Sequence, residues 1–205
     1  MSNEVKNKVD MDTKYIIKLT VTLFLTCMVV AGVLGWVNSI TKDKIAAITW
    51  EKTVTAMKEV ISADDFSDAM DLTDDMTAAA TAQGGTLAAV YQAQSGGQPI
   101  GYAINVESSG SQGTISMMVG IDTDGAVTGV SIVTNAETSG IGSKVMGNEP
   151  LANGTGVLDQ FIGKSAADGT LAVGTNVDAI TGATVSSKGV TTGVNTALAA
   201  AGAIG

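Results

Sequence analysis

The chain has 205 residues, with 11 basic residues against 20 acidic ones and a net charge of −9. All the basic residues are lysine, histidine is absent, and Cys27 is the single cysteine. Ser-His-Asp and Cys-His catalysis, His- or Cys-ligated zinc, haem and iron–sulfur sites, and intrachain disulfides are therefore excluded within it. No metal centre is expected, and an acidic chain without arginine argues against a nucleic-acid partner. Charge is unevenly spread: residues 1–58 hold 8 lysines and 5 acids, whereas residues 59–205 hold 3 lysines and 15 acids.

Leu19 to Val37 is an uncharged, mostly apolar run of 19 residues. At ~1.5 Å per residue it spans roughly 28 Å, close to the ~30 Å hydrocarbon core of a bilayer. Tyr15 and Trp36 flank it, as interfacial aromatics do. No A-x-A cleavage site follows it, and Phe24-Leu25-Thr26 before Cys27 lacks the small residues of a lipoprotein signal. The run is read as an uncleaved single transmembrane anchor. Lys6, Lys8, Lys14 and Lys18 on one side balance Lys42, Lys44, Lys52 and Lys58 on the other. Lysine counts therefore leave the orientation open.

Ile45, Ile48, Val54, Met57 and Ile61 fall near helical spacing, which predicts a stalk helix over 41–61. Residues 64–75 hold six aspartates but neither the Gly nor the closing Glu of an EF-hand, and read as a solvated acidic surface. Alternating apolar residues then predict strands over 86–93, 99–107, 114–121 and 126–134. Gly96-Gly97 marks one hairpin, and Asp124-Gly125 marks another with a primed turn. Helical segments are expected at 142–148 and 155–163, a short strand at 176–180, and a closing helix at 186–201. Strands followed by segregated helices make the domain α+β with a mainly antiparallel sheet. The expected organisation is 1–14 before the span, 15–38 the transmembrane helix, 39–85 the stalk and acidic segment, and 86–205 the domain.

The informative stretch runs from Asp178 through Thr181-Gly182-Ala183-Thr184 to Ser186-Ser187. Four hydroxyl residues cluster where a strand is expected to meet a helix, and any of them can cap it. A helix start also favours an anion such as phosphate. A capped helix start and nothing more is the plainer alternative.

This stretch resembles the D-x-x-[ST]-G-A-T attachment motif of covalent FMN-binding domains. That family includes the G subunit of Rnf-type ferredoxin:NAD oxidoreductases and the C subunit of sodium-translocating NADH:quinone oxidoreductases. Glu137-Thr138-Ser139-Gly140-Ile141-Gly142 is similar to the family's E-T-P-G-L-G loop, with Ser139 in place of proline and Ile141 of leucine. Asn135 stands where the family often has histidine. A third block, Gly110-Ser111-Gln112-Gly113 running into Val119-Gly120-Ile121-Asp122, resembles a family stretch in which tyrosine takes the place of Ser111.

The resemblance implies FMN joined by its phosphate to Thr184 by a flavin transferase that cleaves FAD and reads Asp178 or the turn it shapes. It implies Thr181, Gly182, Ala183, Ser186 and Ser187 on the phosphate side, with Lys188 offsetting charge or simply solvated. On the ring side it implies Glu137, Thr138, Gly140, Ile141 and Gly142. The protein would be an electron-carrying subunit of an ion-translocating complex, without acid–base catalysis of its own. Other membrane subunits would be its partners, residues 1–14 would be cytoplasmic and the domain extracytoplasmic. The chain length favours the G subunit of the Rnf type. Two alternatives are an FMN-bearing carrier of another membrane or extracellular electron-transfer system, and a pilin-like structural subunit.

Overall fold

The computed structural model describes residues 13–204. The segment 1–12, with Lys6 and Lys8 and most of the expected cytoplasmic N-terminus, lies outside them. The chain forms two compact units, one ending at Ile48 and the other spanning Thr49–Gly205.

The first unit is the start of helix α1, Thr13–Val60. Its stretch Thr13–Lys42 is long and apolar enough to cross a membrane and buries none of its side chains in the protein. Thr20, Thr22 and Thr41 donate their hydroxyls to the carbonyls of Ile16, Lys18 and Val37 at 2.7–2.9 Å. Thr26 does the same to Leu23 at 2.8 Å. These threonine hydroxyls are thus satisfied within the helix, as a hydrocarbon environment requires.

The second unit is built on a five-stranded antiparallel meander in sequence order. Its strands are β1 (Asp65–Phe66), β2 (Thr86–Ser95), β3 (Gln98–Ser109), β4 (Thr114–Asp122) and β5 (Val127–Asn135). The fold is α+β and antiparallel, as the alternation predicts. Helix α2 (Asp74–Ala82) packs on β2, and helix α4 (Thr184–Gly202) packs across β3 and β4. This face of the sheet holds the main core: Ile104, Val106, Ile115, Met117, Val119 and Ile121 meet Val190, Val194 and Ala197. Helix α3 is one short stretch, Gly142–Met146.

The opposite face has its own cluster. Ala56, Met57 and Val60 from the last turns of α1 pack with Tyr91, Ala93, Ala103, Met118 and Val133. Gly120 and Gly129 are cross-strand partners beneath it. A Cβ on Gly129 would stand 2.9 Å from Val60 Cα, and one on Gly120 would overlap the Val60 carbonyl. Thr128 closes the contact by donating its hydroxyl to that carbonyl at 2.5 Å. Two glycines side by side form a notch that a helix end enters.

Several local expectations are corrected. The β4–β5 hairpin forms, but its connection is 123–126 rather than a two-residue primed turn. Only Gly125 has positive φ there, and Asp122 Oδ1 accepts the amides of Asp124 and Ala126. The acidic segment keeps all six aspartates exposed, yet it also supplies β1 and opens α2, whose N-cap is Thr73. Residues 155–163 form no α-helix, only a 3-10 turn at Asp159–Phe161. Residues 176–180 form no strand beyond a single bridge between Val177 and Val173.

Side-chain amides replace regular pairing in that region. Asn195 accepts from the Leu171 amide at 3.0 Å and donates to its carbonyl at 2.9 Å. Gln160 holds Asp178 in the same two-point way, at 2.8 and 3.0 Å. Asn148, the one described non-glycine residue with positive φ, accepts from the Leu158 amide at 2.7 Å.

Candidate functional site at the start of α4

Helix α4 begins at Thr184, two residues before its expected start, and its N-cap is Ala183, with no side-chain cap. The expectation that a hydroxyl caps this helix is therefore corrected. The amides of Thr184, Val185 and Ser186 are the first three of the helix and have no partner within it. Gly182, with φ of 85°, turns the chain into this position.

An open cleft of about 300 Å³ lies against that helix start. Three segments line it: Ser111 and Gln112 from the β3–β4 turn, Glu137, Thr138, Ile141 and Gly142 after β5, and Gly182 to Ser186. These are the three blocks singled out in the sequence, brought together at the end of the sheet where β3 and β5 finish and β4 begins. Glu137 binds them. One carboxylate oxygen accepts the amides of Ser111 at 2.7 Å and Gln112 at 3.1 Å. The other accepts the hydroxyl of Ser186. Asn135 sets the approach by accepting the Glu137 amide at 3.1 Å.

The glycines follow from this crowding. A Cβ on Gly142 would come within 2.6 Å of the Glu137 carboxylate, and one on Gly110 would overlap it. The Glu137 carboxylate thus serves chiefly to join the walls. Ser186 is buried, and its hydroxyl proton is committed to Glu137.

The remaining sequence candidates fall at different depths. Thr184 is exposed and lines the cleft, with Ala183 buried beside it. Ser187 is buried outside the lining, and its hydroxyl has no partner among the described residues. Gly140 stands outside the lining, its amide donating to Ser143 Oγ at 2.8 Å. Thr181, Asp178 and Lys188 are exposed and outside the lining as well.

Two residues of the lining carry no role in the motif reading. Val185 lines the cleft and is 56% exposed, facing a cleft that Ile141, 53% exposed, also lines. An apolar residue between Thr184 and Ser186 on the outward side of a helix start is the available signal. Gln112 is the other, marked only by its place in a glycine-bounded turn.

The donor set fits a flavin mononucleotide. Helix-start amides without an intrahelical partner suit a phosphate, and two exposed branched aliphatic side chains suit a flat aromatic ring.

The FMN-binding domain family model matches residues 110–199, which include all three wall segments. The chain is 35% identical over 203 residues to the G subunit of the Na(+)-translocating ferredoxin:NAD(+) oxidoreductase complex of Acetobacterium woodii, covering 94% of each chain. It is 30% identical over 192 residues to the G subunit of the ion-translocating oxidoreductase complex of Methanosarcina acetivorans, covering 91% of this chain and 95% of the relative. The G subunit of the proton-translocating ferredoxin:NAD(+) oxidoreductase complex of Clostridium ljungdahlii is 37% identical over 112 residues, 53% of this chain and 57% of that one. The three-walled cleft, the apolar anchor helix and the first two relatives, matched almost end to end, agree: the chain belongs to the family of G subunits of Rnf-type ion-translocating oxidoreductase complexes, with an FMN-binding domain.

Proposed function

We propose that this subunit carries electrons through FMN held in the cleft and esterified to Thr184. The observation that carries the reading is the position of Thr184. It is the first residue of α4, exposed, at the mouth of a cleft whose other walls bear Ile141 and Val185. In the attachment, Thr184 Oγ bonds to the FMN-side phosphorus of FAD. The bond to the AMP phosphate breaks, AMP leaves, and the hydroxyl proton passes to solvent. No oxidation or reduction accompanies the transfer. A chain without histidine and with its cysteine in the membrane span still offers this hydroxyl.

The amides of Thr184, Val185 and Ser186 hold the phosphate. Ile141, Val185 and the Gly142 backbone border the ring, and Glu137 keeps the walls together. FMN supplies the electron-accepting chemistry, while the protein sets its position and environment. The partners are the other membrane subunits of the complex and, during maturation, a flavin transferase that reads the exposed Asp178. The span crosses the cell membrane once, and the flavin domain lies outside the cytoplasm. Membership of this family leaves the pilin-like alternative without support.

The test is mass spectrometry of the full chain purified from its native host. The peptide containing Thr184 is expected to carry one FMN as a phosphoester. Thr184→Ala is expected to abolish it and Thr184→Ser to retain it. A native chain with an unmodified Thr184 overturns the reading.

A further inference from the structure

We propose that Gln160 is a positioning residue for flavin attachment, acting through Asp178. The inference rests on attachment at Thr184 and extends it to a residue outside the cleft.

Asp178 sits in a loop with no strand partner, yet both of its backbone polar groups are paired. Its amide donates to Gln160 Oε1 at 2.8 Å, and its carbonyl accepts from Gln160 Nε2 at 3.0 Å. The same Nε2 donates to the Val157 carbonyl at 2.8 Å. One side-chain amide thus does for Asp178 what a neighbouring strand residue would do. Gln160 is itself held from below: Phe161, next in the same 3-10 turn, is 1% exposed in the main core. Val177, just before Asp178, is buried too.

The clamp leaves the Asp178 carboxylate exposed and without a partner among the described residues. Thr184 is the other exposed end of this seven-residue stretch, fixed by α4. Between them, the Ala183 amide closes a turn onto the Ile180 carbonyl at 2.9 Å. A transferase that grips the carboxylate and must align the hydroxyl with a phosphorus meets the two groups at a preset separation. Preorganisation of this kind acts on binding, because a loose loop must be ordered at each encounter.

The experiment uses full-length chain made in a strain lacking the transferase. It is then incubated with purified transferase and FAD, and FMN incorporation is followed by mass. Gln160→Leu, which keeps the bulk and removes the two hydrogen bonds to Asp178 along with the one to Val157, is expected to raise KM for the chain about tenfold with kcat little changed. Asp178→Ala is expected to do the same, and the double variant to be no worse than Asp178→Ala alone, the non-additivity of groups acting through one another. Hydrogen exchange should show the Asp178 amide losing protection in Gln160→Leu while amides of β3 and β4 keep theirs.

Gln160→Glu keeps the acceptor but turns an anionic oxygen toward the Asp178 and Val157 carbonyls, so it is expected to raise KM at least as much, and it serves if Gln160→Leu does not fold. An unchanged KM in a folded Gln160 variant, or effects that add, overturns the positioning role. A wild-type chain that takes no flavin at Thr184 instead overturns the attachment reading, and this one with it.

Discussion

The Glu137 carboxylate accepts the hydroxyl proton of Ser186, 49 residues further along the chain, while its other oxygen takes two amides of the β3–β4 turn. A single side chain thereby fixes the distance between the loop after β5 and the first turn of α4. Removing it leaves three donors without their acceptor. Glu137→Ala is expected to lower the unfolding free energy by about 1–3 kcal/mol. Glu137→Gln is expected to cost less, because the amide oxygen can keep the turn while its NH2 donates to Ser186. Urea titration of the three proteins checks the order, and an Ala variant as stable as wild type would refute the clamp.

The glycine notch makes a different prediction. A methyl group on Gly120 overlaps the Val60 carbonyl and crowds Thr128, so Gly120→Ala is expected to destabilise the domain by about 1–3 kcal/mol. Gly202, near the end of α4 with open space around its Cα, is the control. Gly202→Ala is expected to be neutral or slightly stabilising, since alanine is the better helix former. Thermal melts of both variants decide it.

A third prediction concerns pH. Asp64 accepts the Gly96 amide at 3.0 Å and the Ser95 hydroxyl at 2.9 Å. The Gly96 bond first, and the Ser95 bond second, hold its pKa below the ordinary 3.8. A carboxyl whose folded pKa is depressed stabilises the fold fully above its unfolded value, and loses that contribution as pH falls through the folded value. The Gly96 amide resonance is therefore expected to titrate with a midpoint below 3.8, and Asp64→Asn to abolish the transition. A midpoint at or above 3.8 would contradict the two hydrogen bonds.

The strands are legible in the sequence because their pairing partners are other strands, and alternation at Ile104, Val106, Met117 and Val119 reports one buried face. The three walls of the cleft are legible as motifs, although nothing in the sequence says that Glu137 joins them. Helix α2 is hidden within the aspartate run, despite a threonine N-cap followed by Asp74 and Asp75, both favourable in a first turn. Segments 155–163 and 176–180 mislead for another reason. Their backbone partners are the amide side chains of Asn148 and Gln160, and a single distant amide leaves no periodicity.

The lodging of Val60 against Gly120 and Gly129 has a consequence for where this protein can be divided. A fragment starting at residue 86 carries every strand of the cleft, yet it lacks β1, α2 and the lid over Tyr91, Ala93, Ala103, Met118 and Val133. That fragment would present a bare apolar sheet to water and invite self-association. The portable unit begins at Thr49, inside a helix whose stretch Thr13–Lys42 is of bilayer length. Tether and domain share a helix, so a soluble version of this flavin carrier must take part of its own stem with it.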